Sequence, residues 1–201
     1  MFLATTALSE FWDKTDRLLY LGSWCLREDH RDQWENLSGQ ILPCAWDDRA
    51  RFYQAAEYVS ECYERILQAI ASYLNAAHQT KHSVRYWRIV VGPWLLHFLH
   101  AAYDRYVHLS EAFDQSPQLK TILLDPVSFR TPRTLSEMMD WMTDDPYNLQ
   151  IISQEIAGMG HSFPTQKLDG SRFTQRVRPI PSRFKQLARG ALLPWVRGAE
   201  A

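Results

Sequence analysis

The sequence predicts an α/β fold in which a small parallel sheet is packed by long helices and followed by an irregular basic C-terminal tail. Three observations carry that expectation. Short apolar runs at residues 18–25, 40–44 and 120–124 have the length and the flanking turn residues of buried strands. Two long segments of helical character, opening near Asp47 and near His82, lie between the second and third runs. Strand, helix pair, strand is the rhythm of an α/β chain. At 201 residues and 46% hydrophobic content, the chain suits one domain with an appendage. The domain is expected over 1–160, with a basic linker or tail over 161–201, disordered or membrane-associated.

Residues 2–12 read as an extended or helical lead-in, with Thr5, Thr6 or Ser9 as available caps. The run at 18–25 is interrupted by Gly22, which suits a strand that turns sharply. Residues 26–39 are charged and polar, with Trp34 and Leu37 anchoring a short helix. In the first long helix Phe52, Ala55, Val59, Ile66, Ile70 and Tyr73 recur at helical spacing and make one apolar stripe, with Asp47 or Asp48 capping its start. The second is set off by Ser83 as N-cap, and residues 89–103 contain no Lys, Arg, Asp or Glu, so it reads as a buried helix. Pro93, next to Gly92, is expected to kink or divide it. The run is shorter than the ~20 apolar residues of a membrane span. Residues 134–142 and 146–159 read as shorter helices, and from His161 onward Pro and Gly punctuate a segment without periodicity.

A net charge of -1 and a pI near 6.7 give no overall pull toward polyanions, so no nucleic-acid partner is expected. Cys25, Cys44 and Cys62 form no CxxC pair and fit a reducing compartment. The N-terminus lacks a basic n-region and meets Glu10 early, so no signal peptide is expected. The expected location is cytoplasmic, or peripheral at the inner face of the membrane.

In open α/β sheets ligands gather at the carboxyl ends of the strands. Two such ends are residues 22–25, GSWC, and 45–48, AWDD. Tryptophan faces stack on sugar rings and a carboxylate orients or deprotonates a hydroxyl, so Trp24, Trp46, Asp47 and Asp48 suit an acceptor sugar. The competing reading makes Asp47 and Asp48 helix caps and the tryptophans core plugs. Arg85 and Arg88, three apart near a helix start, could clamp a phosphate or carboxylate, or pair with Glu57, Glu61 or Glu64. His97, His100, Asp104 and His108 share one helical face, but no second element supplies metal ligands, so no metal is expected. There is no GxSxG, Walker loop or GxGxxG, and Cys25 reads as a buried structural thiol.

At FLATTALSEFWDKTDRLLYLGSWC, LPCAWDDR, HSVRYWRIVVGPWLLHFLHAAYDRY and DDPYNLQ the chain resembles a family of transferases found in bacterial O-antigen and surface-polysaccharide clusters. The likeness covers roughly residues 2–157. Members are much longer two-domain sugar transferases with Rossmann-like halves facing a cleft, the nucleotide-sugar donor held mainly by the C-terminal half. The resemblance therefore implies a Rossmann-like N-terminal, acceptor-side domain. It also implies a sugar or glycolipid acceptor, a C-terminal transferase domain as partner, and no cofactor beyond the nucleotide-sugar donor as substrate. Where the family often has histidine before Trp46, this chain has Ala45. Asp47 or Asp48 would act as the base and Arg85 and Arg88 as anion clamps.

Residues 171–198 carry seven basic side chains and no acidic one. That composition suits an amphipathic piece on an anionic membrane surface, or a linker to another domain. The alternative to a transferase is a non-catalytic interaction module docking on membrane or polysaccharide assembly machinery through this tail.

Overall fold

A computed structural model describes residues 1–173. The basic tail lies for the most part outside the described residues, and with it the membrane and linker expectations. Among the described residues five short strands form the sheet region: β1 (Phe2–Ala4), β2 (Leu18–Tyr20), β3 (Gly39–Ile41), β4 (Leu123–Leu124) and β5 (Thr165–Gln166). β1, β2 and β3 are parallel with β2 central, Leu3 opposite Leu19 and Leu19 opposite Gln40. β4 and β5 form a second parallel pair.

The chain entering β4 joins the two pieces. Phe2 and Lys120 form a parallel bridge, and Leu3 N–H donates to the Lys120 carbonyl at 2.7 Å. The Thr121 hydroxyl donates to the Leu3 carbonyl at 2.9 Å. The strands therefore lie in the order β3, β2, β1, β4, β5, and β1 is flanked on both edges. The sequence left β1 in an undecided lead-in because three residues are too few to show a period. Its identity comes from pairing with partners 16 and 118 positions away, since Phe2 meets Leu18 and Lys120.

Every residue of β1 and β2 is buried, so neither strand alternates, as expected where both sheet faces are covered. β5 carries the sheet past the boundary expected at residue 160. Beyond it Arg172 pairs with Glu10, and Phe173 packs on Trp141.

α1 (Arg49–His78) and α2 (Val84–Gln115) form a long antiparallel hairpin between β3 and β4. Asp48 caps α1, its Oδ1 accepting from Ala50 N at 2.8 Å and Arg51 N at 3.3 Å. Ser83 caps α2 by accepting from Tyr86 N. Between them Gln79 takes a left-handed φ of 54°. Asn75 ties the turn: its Oδ1 accepts from His82 N, Thr80 Oγ1 and Trp87 Nε1, and its Nδ2 donates to the His82 carbonyl.

α2 continues past Pro93 as one helix rather than two. Gly92 faces Tyr63 of α1, and a Cβ there would lie 2.6 Å from the Tyr63 hydroxyl. The charge-free stretch of α2 is not the buried part. Ile89 is 71% exposed and Val90 54%, whereas Leu109 and Ala112 are fully buried against β1 and β2. The first half of α2 has α1 for company, and the second half crosses the sheet and meets α4 (Asp145–Gly158). α3 (Leu135–Trp141) completes the connection from β4 to β5.

Leu19, fully buried in the sheet, is the sharpest test of this core. Leu19→Ala is expected to lower the free energy of unfolding by about 3 kcal/mol in urea titrations followed by circular dichroism, within the range for a leucine lost from a packed interior.

Candidate functional site

The carboxyl ends of β1, β2 and β3 deliver three loops to one edge of the sheet. The loop after β1 contains Thr5 and Ala7, that after β2 contains Trp24, and that after β3 contains Trp46. Trp24 Nε1 donates to the Thr5 carbonyl at 3.1 Å, which ties the second loop to the first. Gly22 makes room for the indole: a Cβ there would stand 2.0 Å from the Trp24 ring. Trp46 Nε1 donates to Asp104 Oδ1 of α2 at 2.5 Å.

Between the two indoles sits His108, 2% exposed, with edge contacts to Trp24 at 5.3 Å and to Trp46 at 6.0 Å. Its Nδ1 lies 2.8 Å from the Asp104 carbonyl, which can only accept, so Nδ1 carries the proton of the neutral ring. Nε2 is buried without a hydrogen-bond partner among the described residues.

Against this wall the N-terminal turn of α4 closes a crevice. A cavity of about 450 Å³ is lined by Trp24, Arg27, Asp104, Arg105, Asp145 and Asn148, among others. A neighbouring one of about 480 Å³ shares Arg27 and Asp145 and reaches Ser9, Glu10 and His30. Asp145 is held from two sides: its Oδ1 accepts from Ala7 N at 2.9 Å, and its Oδ2 lies 3.3 Å from Arg27. Hydrogen bonding to Asp29 raises Arg27 above the ordinary guanidinium value, with Asp145 adding to it.

Arg105 donates from Nε and Nη2 to Asn148 Oδ1 and from Nη1 to the Ala101 carbonyl at 2.7 Å. Burial lowers its basicity, opposed by the carboxylates of Asp104 and Glu155. The crevice thus offers one aromatic face, Trp24, with two carboxylates and two guanidiniums at its wall, while Trp46 lines a neighbouring apolar hollow with Phe52 and Tyr103 and touches the crevice only through Asp104. Side chains of these types can stack on a ring and make charge-assisted hydrogen bonds to hydroxyl and anionic groups.

The residues singled out from sequence divide into two places. Trp24 and Trp46 meet around His108. Asp48 is occupied as a helix cap, and Asp47 is exposed beside it. Arg85 and Arg88 lie at the other end of α2, Arg88 some 24 Å along the helix from Asp104 at 1.5 Å per residue. Arg88 forms a two-pronged pair with Glu64 at 2.5 and 2.6 Å, and Arg85 is exposed without an ion pair among the described residues. His97 and His100 are exposed while His108 is buried, and among the described residues no group of His, Cys, Asp or Glu is arranged to hold a metal. The three cysteines are free, and burial pushes the Cys25 thiol up to about 12.

Arg27, Arg105, Asp145 and Asn148 were not among the sequence candidates. A signal for three of them existed: the strings GSWC, AWDD, AAYDRY and DDPYNLQ, far apart in the chain, supply Trp24, Trp46, Asp104 with Arg105, and Asp145 with Asn148. Arg27 falls outside them.

The fold is that of a mixed α/β protein with a crevice at the carboxyl ends of parallel strands. The chain belongs to the LIC12162 family of transferases, whose family model matches residues 1–192. That match continues past residue 157, where the sequence likeness was expected to end, into the basic segment. No curated protein and no solved structure matches the chain. Among the described residues no helix is long and apolar enough to cross a membrane.

The contact of Gly22 with the Trp24 ring gives a direct test. Gly22→Ala is expected to cost about 1–3 kcal/mol by urea denaturation, as overpacking does. In a double-mutant cycle most of that cost should vanish in the Trp24→Ala background, because the clashing ring is gone.

Proposed function

We propose that this chain is the acceptor-side, Rossmann-like part of a sugar transferase in bacterial surface-polysaccharide synthesis, working in the cytoplasm with a nucleotide-sugar donor. The observation that carries the reading is the convergence of three distant, distinctive strings on one strand-end crevice, with a fourth joined to it by the bond from Trp46 to Asp104, in a chain of a transferase family. The strand order β3, β2, β1, β4, β5 supports it, because the order reverses beside β1, where open α/β sheets hold their ligands.

In this reading Trp24 stacks on the acceptor sugar, and Trp46, which lines the neighbouring hollow, holds Asp104 in place. Asp104, held by Trp46 and next to Arg105, orients or deprotonates the attacking hydroxyl. Asp47, one residue beyond Trp46, is the second carboxylate to consider, since Asp48 is engaged by α1. The anion contact passes to Arg27 and Arg105, because Arg88 is paired with Glu64 far along α2. Asp145 is a positioning residue: it joins the loop after β1 to Arg27. The donor is bound by a second domain, so the chain is incomplete alone.

Calorimetric titration of the full chain with oligosaccharide fragments of bacterial surface polysaccharides tests this. Binding is expected, weakened at least tenfold, about 1.4 kcal/mol, by Trp24→Ala and by Asp104→Asn. Nucleotide sugars are expected to bind only when the second domain is supplied. Absence of oligosaccharide binding, or equal binding by both variants, overturns the proposal.

A further inference from the structure

On the opposite side of α2 from the crevice wall, α1, α2 and α4 enclose a separate groove of about 660 Å³. Its walls are mainly apolar, with Ile66 from α1, Leu99 from α2 and Met159 just past α4. Two features break the pattern. Tyr58, Tyr103 and Tyr106 form a continuous aromatic wall, Tyr58 to Tyr103 at 5.3 Å and Tyr103 to Tyr106 at 6.3 Å between ring centres. Among the described residues Glu155 of α4 is the one acidic side chain in the lining. It makes no hydrogen bond or ion pair among the described residues, and its Oε2 is buried.

We propose that this groove is a binding site for an apolar organic ammonium, a cationic head on a hydrocarbon body, with Glu155 as its counter-ion and the three tyrosines as its aromatic cage. Aromatic rings attract a cation through their quadrupole, and ammonium ligands are recognised by such clusters; here the wall is open on one side, with Tyr58 and Tyr106 about half exposed. The apolar remainder of the groove suits the hydrocarbon part, as ligand pockets combine an apolar lining with a few polar groups.

Among the described residues no cation forms an ion pair with the carboxylate. Arg105 comes nearest in charge, but its donors go to Asn148 and the Ala101 carbonyl, and it lies 3.6 Å from Asp104. A buried carboxyl left in this state is costly to ionise and is stabilised by an incoming positive charge. The groups that bear on Glu155 are Arg105, Asp104, Tyr103 and Tyr106 from α2 and Tyr58 and Cys62 from α1.

Burial raises the Glu155 carboxyl to about 8, with Arg105 pulling it down and Asp104 pushing it up. At pH 7 it is therefore mostly protonated, and an ammonium that ionises it must expel that proton to solvent. A neutral ligand expels none. The cation's own affinity should rise as pH climbs toward 8 and level off above it, because the proton competes with the ligand below that value.

The experiment is calorimetry of the full chain with octyltrimethylammonium, which carries no titratable proton, against octanol, both below the concentration at which they aggregate. Titrations at pH 7 in buffers of different ionisation enthalpy count the protons. The expected results are at least tenfold tighter binding of the ammonium, release of about one proton on binding, and loss of that release in Glu155→Gln. In the unaltered protein, affinity should rise by about tenfold between pH 6 and 7 and flatten above 8. This second measurement needs no variant, so it stands even if Glu155→Gln fails to fold. Equal affinity for octanol, no binding of the ammonium, or a pH-independent affinity overturns the site. The oligosaccharide crevice is untouched by any of these outcomes.

Discussion

Everything near the crevice depends on β1 being gripped along both edges. With two or three residues per strand, no pair of strands has enough ladder hydrogen bonds to hold itself, and an isolated pair of this length is marginal in water. What holds them is the enclosure of Leu3, Leu18 and Leu19 by strand neighbours on either side and by Leu109, Ala112 and Ile156 from the helices. The bond from Leu3 N–H to Lys120 unites the two sheet pieces, and the loops around the crevice leave from strand ends fixed in this way.

The loops are then pinned to one another by side chains whose polar atoms are shared with backbone groups. The Trp24 indole bonds to the Thr5 carbonyl, Trp46 to Asp104, and Asp145 to Ala7 N, so each strand-end loop is tied to another element. Aromatic bodies with one polar tip suit this role, because they bury area and still satisfy a directional bond. His108 fills the space between the indoles at the cost of an Nε2 without a partner among the described residues, a burial that cores ordinarily avoid.

The hairpin of α1 and α2 divides the molecule's chemistry. Its lower half meets the sheet, and there the side chains are polar and hydrogen-bonded: Asp104, Arg105 and His108. Its upper half has one neighbouring helix, so Ile89 and Val90 stay exposed while Arg88 and Glu64 form an ion pair in solvent. Such an exposed pair contributes little to stability. α2 therefore serves two concavities, a polar one with Asp104 and Arg105 and an apolar one with Tyr103, Leu99 and Tyr106.

Local chemistry made part of this legible from residues alone. The Asp48 and Ser83 caps, the two long helices, the parallel α/β character and the strand-end positions of Trp24 and Trp46 all follow from short-range rules of capping, periodicity and turn residues. β1 was not legible as a strand, because its three residues become one only through partners distant in the chain. The charge-free stretch of α2 was expected in the core, yet burial falls on the half that carries Asp104, Arg105 and His108, since a helix is covered where another element lies over it. Likewise Arg27, Arg105, Asp145 and Asn148 form one wall only because α4 docks beside the β1 and β2 loops. Sequence by itself determined which segments fold locally and which residue types were on offer. Tertiary structure decided which of them share a cavity, because proximity across more than a hundred residues is set by packing and leaves no period in the chain.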